Sequence, residues 1–184
     1  MDPGGSCERY VMDDSRGARA VEMVKLDYLH SRLHVRLEGL TDHEYLWEPV
    51  ARCLTMDGGS GKVVRHGPVG LTNIAWRLCH IGDALREERN FGWLGREPTR
   101  LDAEIVHPMT AAGALDYIDD SWRVWQDLVG SLSVDEMWQP IGAIGGPYGG
   151  SERLTFVLRV MDEFIHHGAE VGVLRDLYAA TMAP

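Results

Sequence analysis

The sequence predicts an all-α fold: a four-helix bundle forming a single domain. Three observations predict it. Apolar residues recur at spacings of three and four in four separate stretches, the period of a helix buried along one face. Two turn-rich segments separate these stretches, a long loop between the first and second helices and a glycine-rich loop before the fourth. The chain has 184 residues, enough for one domain with a core of its own.

The first helix runs from about Ala18 to Gly39 and carries the stripe Leu26, Leu29, Leu33, Leu37 and Leu40. Residues 1 to about 15 read as a flexible N-terminus. The long loop contains Met56-Asp-Gly-Gly-Ser-Gly-Lys62 and His66-Gly-Pro68, turn chemistry that suits a short hairpin. The second helix carries Leu71, Ile74, Leu78, Ile81 and Leu85. Thr72 or Asn73 can cap it, and it should stop near Gly92 or Gly95, before Pro98. The third begins near Thr110 and carries Leu115, Ile118, Trp122, Trp125, Val129 and Leu132. Ile144 to Gly150 is too rich in glycine for regular structure. The fourth helix is the longest, from about Ser151 to Ala180 without a proline, and Leu154, Val157, Leu158, Met161, Phe164 and Ile165 supply one apolar face. Residues 40–49 and 132–140 echo each other. Each begins Ser/Thr-x-x-Glu, the capping-box pattern, and each ends in Trp, one polar residue and Pro. Two short capped turns explain the echo slightly better than a repeated helix pair does.

Composition excludes several classes of function. The net charge of -10 argues against nucleic acid and against an anionic membrane surface, both of which select basic proteins. The three cysteines, Cys7, Cys53 and Cys79, are odd in number and widely spaced. No disulfide framework and no CxxC zinc pair is implied, and a reducing cytoplasm is the expected location. No basic-then-apolar leader and no stretch long enough to span a bilayer is visible.

The chemistry concentrates in His80, Glu163 and His167. A helix turns ~100° per residue and rises ~1.5 Å, so Glu163 and His167, four apart, stack on one face. On the fourth helix Glu152, Thr155, Arg159, Asp162, His166 and Glu170 form a polar stripe. Glu163 and His167 instead fall among Phe156, Val160, Val171 and Leu174. A carboxylate on an apolar face is expensive unless paired or bound to a metal. His80 shares a face of the second helix with Trp76 and Ala84. Brought together, the three side chains make a two-His-one-carboxylate set with room for a further ligand, suited to zinc and also to nickel, iron or manganese. The bland reading is an i, i+4 hydrogen-bonded pair and a buried core histidine.

Other candidates are weaker. His30 and His34 stand four apart on the first helix with no evident acidic partner. Cys79 adjoins His80 but faces elsewhere on a helix. His43, His66 and His107 fall in loops or turns and read as solvated. Trp76 and Trp93 can wall a pocket. Arg77 or Arg175 can receive an anionic group, with an ordinary surface ion pair as the alternative. Glu170, one turn beyond His167, can assist the reaction but fits the polar stripe better. No catalytic residue beyond the three candidate ligands is assigned.

Three stretches, Asn73-Ile-Ala-Trp-Arg-Leu-Cys-His-Ile-Gly82, Asp162-Glu-Phe-Ile-His-His-Gly-Ala-Glu170 and Leu174-Arg-Asp-Leu-Tyr178, together with the turn at 40–49, resemble the DinB-like superfamily of metal-binding four-helix bundles. The nearest likeness is to its mycothiol-dependent maleylpyruvate isomerases. In that family one histidine comes from the second helix and two ligands, four apart, from the fourth. Most members have histidine at both fourth-helix positions; Glu163 departs from this and matches the His, Glu, His pattern of the isomerases. The resemblance implies a cytoplasmic, homodimeric enzyme acting on a small molecule. It would use a divalent metal, commonly zinc, to activate a low-molecular-weight thiol for transfer to an electrophile or for isomerisation through an adduct. Two alternatives stay open: hydrolysis by a metal-activated water, and a non-catalytic bundle that binds a small ligand.

Overall fold

The computed structural model describes residues 28–51, 53–56, 63–65, 70–98 and 106–182. The expected flexible N-terminus, the start of the first helix, most of the 56–68 turn segment and His66 lie outside these residues. The fold is all-α, a helical bundle. Among the described residues the elements are α1 (Tyr28–Leu37), α2 (Asp42–Leu46), β1 (Leu54–Met56), β2 (Val63–Arg65), α3 (Ile74–Arg86), α4 (Glu88–Trp93), α5 (Ala111–Gly130), α6 (Val134–Met137), a 3-10 segment (Ala143–Tyr148) and α7 (Arg153–Met182).

Helix α3 is the centre of the bundle, packed against both α5 and α7. Its buried residues include Ile74, Leu78, Ile81 and Leu85 of the stripe read from the sequence, while Leu71, the first of that stripe, precedes the helix and is exposed. Asn73 fixes its start. The Asn73 Oδ1 accepts the Trp76 backbone N–H at 2.9 Å, and its Nδ2 donates to Thr55 Oγ1 at 2.7 Å. One buried side chain therefore caps α3 and ties it to β1, whose Leu54 also bridges to Thr72. The hairpin expected in the long loop is present, with β1 and β2 antiparallel and Thr55 opposite Val64. At Gly82, α3 comes so close to α5 that a Cβ there would lie 2.3 Å from Tyr117 Cε1.

Two expectations differ from what forms. The second helix does not run on to Gly92 but breaks at Glu87, whose backbone is extended (φ -58°, ψ 132°). The cause is Asn90. Its buried amide donates to the carbonyls of Ala84 at 2.9 Å and Leu85 at 3.2 Å, taking acceptors that a continuous helix would have used. The glycine-rich segment is not wholly irregular. It winds into the 3-10 segment, where a Cβ on Gly149 would meet the Gly142 carbonyl oxygen at 2.5 Å. Thr110 caps α5 as read, accepting from the Gly113 N–H at 3.1 Å. On α7, Leu154, Val157, Met161 and Phe164 are buried, but Leu158 and Ile165 are exposed. The helix buries Phe156, Val160, Val171 and Leu174 as well, and Glu163 and His167 lie within that second stripe.

The two echoed segments are both short capped helices, but their glutamates do different work. Glu136 completes a capping box with Ser133. Glu44 is buried and takes the Arg175 guanidinium in two-pronged fashion, at 2.8 and 3.2 Å, which fastens α2 to α7. The shared pattern therefore marks the helix starts and does not specify one tertiary role.

Asn73→Ala should destabilise the protein by about 2 kcal/mol, the loss of a helix cap together with a buried hydroxyl left without its donor. Urea unfolding monitored by circular dichroism reads this directly.

Candidate metal centre

His80 comes from the middle of α3, and Glu163 and His167 come from consecutive turns of α7. Because α3 and α7 pack together, one ligand atom from each of the three lies within 4.8 Å of the other two. His167 Nε2 is 3.2 Å from Glu163 Oε2, and the His80 and His167 rings meet edge to face with centroids 4.7 Å apart. Zinc with bonds of about 2.0–2.1 Å in tetrahedral geometry needs ligand atoms about 3.3 Å apart. The Nε2–Oε2 separation already meets that requirement.

The surroundings hold these groups in a ligand-ready state. His80 stacks on Trp76 with the rings 4.8 Å apart and 15° from parallel. Burial, followed by the neighbouring His167 and offset in part by Glu163, pushes its pKa below the ordinary imidazole value of 6.5. His80 is thus neutral at pH 7 and keeps a ring lone pair to offer. His167 is buried, and its other nitrogen, Nδ1, sits 2.6 Å from Glu170 Oε2. A carboxylate that close takes a proton from Nδ1, whereas Arg77 Nη1, 3.0 Å from the same nitrogen, can only donate to it, so the two neighbours select opposite tautomers. With the proton on Nδ1, the Nε2 lone pair of a neutral ring faces the Glu163 carboxylate, a contact that a cation would relieve; with Nδ1 accepting from Arg77, the Nε2–H donates to Glu163. Glu170 is itself held by Arg77, whose Nε lies 2.9 Å from the same Oε2. A carboxylate that orients a histidine in this way is the usual second layer of a metal site.

Sequence reasoning missed part of this arrangement. Glu170 lies at the edge of the polar stripe yet reaches inward to His167. Arg77 and Arg175 are neither solvent-facing ion pairs nor free anion receptors. Arg77 is spent on Glu170, and Arg175 on Glu44 and on the backbone carbonyls of Arg36 and Glu38. His107, read as solvated, lies 3.0 Å from Asp83, which also accepts the Tyr117 hydroxyl at 2.6 Å. Spacing held the available signal: Arg77 and Asp83 stand three residues either side of His80, so both share its face of α3. Cys79 does face away from His80. It is buried against the Tyr45 hydroxyl, and burial pushes its thiol up to about 12. His43 is the exposed partner of Tyr178. His30 and His34, read as lacking an acidic partner, meet Asp119 of α5.

A cavity of about 1020 Å³ opens onto the cluster and is lined by both His80 and Glu163. Trp93 and Phe156, 4.8 Å apart, form its apolar wall with Ile141 and Val160, and Asp83, Arg89 and Arg159 supply polar groups. Of the two tryptophans proposed as walls, Trp93 lines the cavity, while Trp76 backs His80.

An all-α bundle with two imidazoles and a carboxylate converging beneath a cavity defines a class of helical proteins equipped to hold a metal. The DinB superfamily model matches residues 25–171, and the chain belongs to that superfamily, whose members often bind metals. No curated protein matches the chain, and no solved structure does. No described helix is long and apolar enough to cross a membrane.

Two outcomes follow from the geometry. Glu170→Gln should weaken zinc binding about 10–100-fold by releasing His167 Nδ1, as competition against a chromophoric chelator would show. In metal-free protein, folded His80 takes up a proton less readily than unfolded His80. Its contribution to stability is therefore full above pH 6.5 and falls as pH drops below that value. Urea midpoints at about pH 7.5 and about pH 5.5 should differ in that direction, and His80→Asn should narrow the gap.

Proposed function

We propose that this protein is a divalent-metal-dependent enzyme that activates a low-molecular-weight thiol against a small electrophile, by transfer or by isomerisation through a thiol adduct. One observation carries the reading: His80, Glu163 and His167 converge beside a partly apolar cavity that His80 and Glu163 line, with Glu170 2.6 Å from the far nitrogen of His167. Their donor set, two nitrogens and one oxygen, suits zinc first and nickel, iron or manganese after it. A metal bound there would supply Lewis acidity, keeping a coordinated thiol as thiolate near neutral pH, where a free thiol of pKa about 8.5 is mostly protonated.

The remaining steps belong to the chain's own residues. Trp93, Phe156 and Val160 receive the apolar part of the electrophile and exclude water from it. Arg159 and Arg89, both on the cavity lining, are cations that can meet an acidic substituent, Arg89 being paired with Glu87. Asp83 lines the same cavity one turn beyond His80 and is fixed by Tyr117 and His107, which suits it to take the thiol proton. The resemblance to thiol-dependent isomerases favours thiol over water as nucleophile, and a homodimer is part of the same reading.

Elemental analysis of untagged protein, purified without chelator or metal-affinity resin, should find one metal in this centre that His167→Ala loses. Turnover of a chloronitroaromatic electrophile with a panel of small thiols should fall at least about 10²-fold in that variant, while Asp83→Asn keeps its metal and loses about 10²-fold in kcat. Wild-type turnover that does not depend on added thiol would favour hydrolysis. Equal turnover in wild type and His167→Ala would end the proposal.

A further inference from the structure

A second set of ligands lies on the bundle outside the His80 centre. His30 and His34 occupy successive turns of α1, and Asp119 comes from α5. Both His30 Nε2 and His34 Nε2 point at the same oxygen, Asp119 Oδ1, at 2.8 and 2.6 Å. The two rings lie 4.4 Å apart, and His30 stacks on Trp122 at 5.2 Å, 14° from parallel. One ligand atom from each residue lies within 4.8 Å of the other two, the same criterion the His80 cluster meets, and the two clusters share no residue.

We propose that His30, His34 and Asp119 form a second transition-metal site that clips α1 to α5. Two histidines four apart on a helix present their nitrogens side by side, a natural chelate, and Asp119 adds a third ligand and a negative charge. Two imidazoles with one carboxylate select zinc, nickel or copper over magnesium or calcium, which prefer oxygen. Stacking on Trp122 already fixes the His30 ring, so little side-chain freedom is left to lose on binding. The ligand atoms are now at hydrogen-bond distance and must spread to about 3.3 Å around zinc with bonds of about 2.0–2.1 Å. Asp119 is 40% exposed and has room to make that shift.

The site has a structural use. Among the described residues of α1, Leu33 and Leu37 are buried and Leu29 packs partly against the core. A metal bridging it to α5 supplies a cross-link that leucine packing does not. Ions that bind only the folded state stabilise it, so the clip should be visible in melting as well as in stoichiometry.

The test is zinc stoichiometry by equilibrium dialysis on untagged, metal-stripped protein, with magnesium and calcium as controls. The variants are His34→Ala, Asp119→Asn, His167→Ala and the double variant His34→Ala/His167→Ala. Wild type should bind one zinc more than His34→Ala or Asp119→Asn, and His167→Ala should retain a zinc that the double variant loses. These differences hold even if the His80 centre binds nothing, so the two sites succeed or fail separately. Zinc should also raise the melting temperature of His167→Ala but not of the double variant. Asp119→Asn is nearly isosteric and carries the comparison if circular dichroism shows that truncating His34 unfolds α1. Equal zinc binding by wild type and Asp119→Asn, both folded, overturns the proposal.

Discussion

The arrangement depends on how one carboxylate and two imidazoles are compensated on the seam between α3 and α7. Glu163 and His167 lie on a face of α7 otherwise made of Phe156, Val160, Val171 and Leu174. His167 is buried there and needs partners, whereas the Glu163 side chain is 44% exposed and is open to solvent. His167 has partners on each side, Glu170 and Arg77 at Nδ1 and Glu163 at Nε2.

Everything around the seam serves its rigidity. The Asn73 cap fixes where α3 begins and therefore where His80 falls along it. Gly82, one turn past Leu78, lets α5 approach closely enough for Tyr117 to reach Asp83. On the other side, Arg175 holds the buried Glu44 and the carbonyls of Arg36 and Glu38 at the C-terminal end of α1, tying that end to α7. The cavity then opens on the solvent side of His80 and Glu163, between α3, α7 and the 3-10 segment, where a ligand can meet the cluster without disturbing the packed seam.

Much of this was legible in the residues. Spacings of three and four gave the bundle and the buried stripes of α3 and α5, and Thr110 and Asn73 gave their starts. The interruption of an apolar stripe by Glu163 and His167 drew attention to the pair; in the fold His167 is buried and the Glu163 side chain is 44% exposed. What the residues hid were the interactions between distant segments. Asn90 broke the second helix through carbonyls five and six residues earlier, a backbone capture that apolar periodicity does not register. His107 looked solvated because nothing nearby in sequence suggested Asp83. Leu158 and Ile165 were assigned to the core of a helix that buries a different stripe as well.

By itself the sequence determined the helical class, most of the helix-forming stripes and the pairing of Glu163 with His167, since each of these rests on neighbours within a few residues. Tertiary structure decided the rest. It brought His80 to within ligand distance of that pair, turned Glu170 inward and set Arg77 behind it. It gave His30 and His34 the carboxylate, Asp119, that lies 85 residues beyond His34. The physical reason is that local spacing fixes which face of a helix a side chain occupies. Only the packing of one helix against another fixes what that face meets, and a metal site needs both.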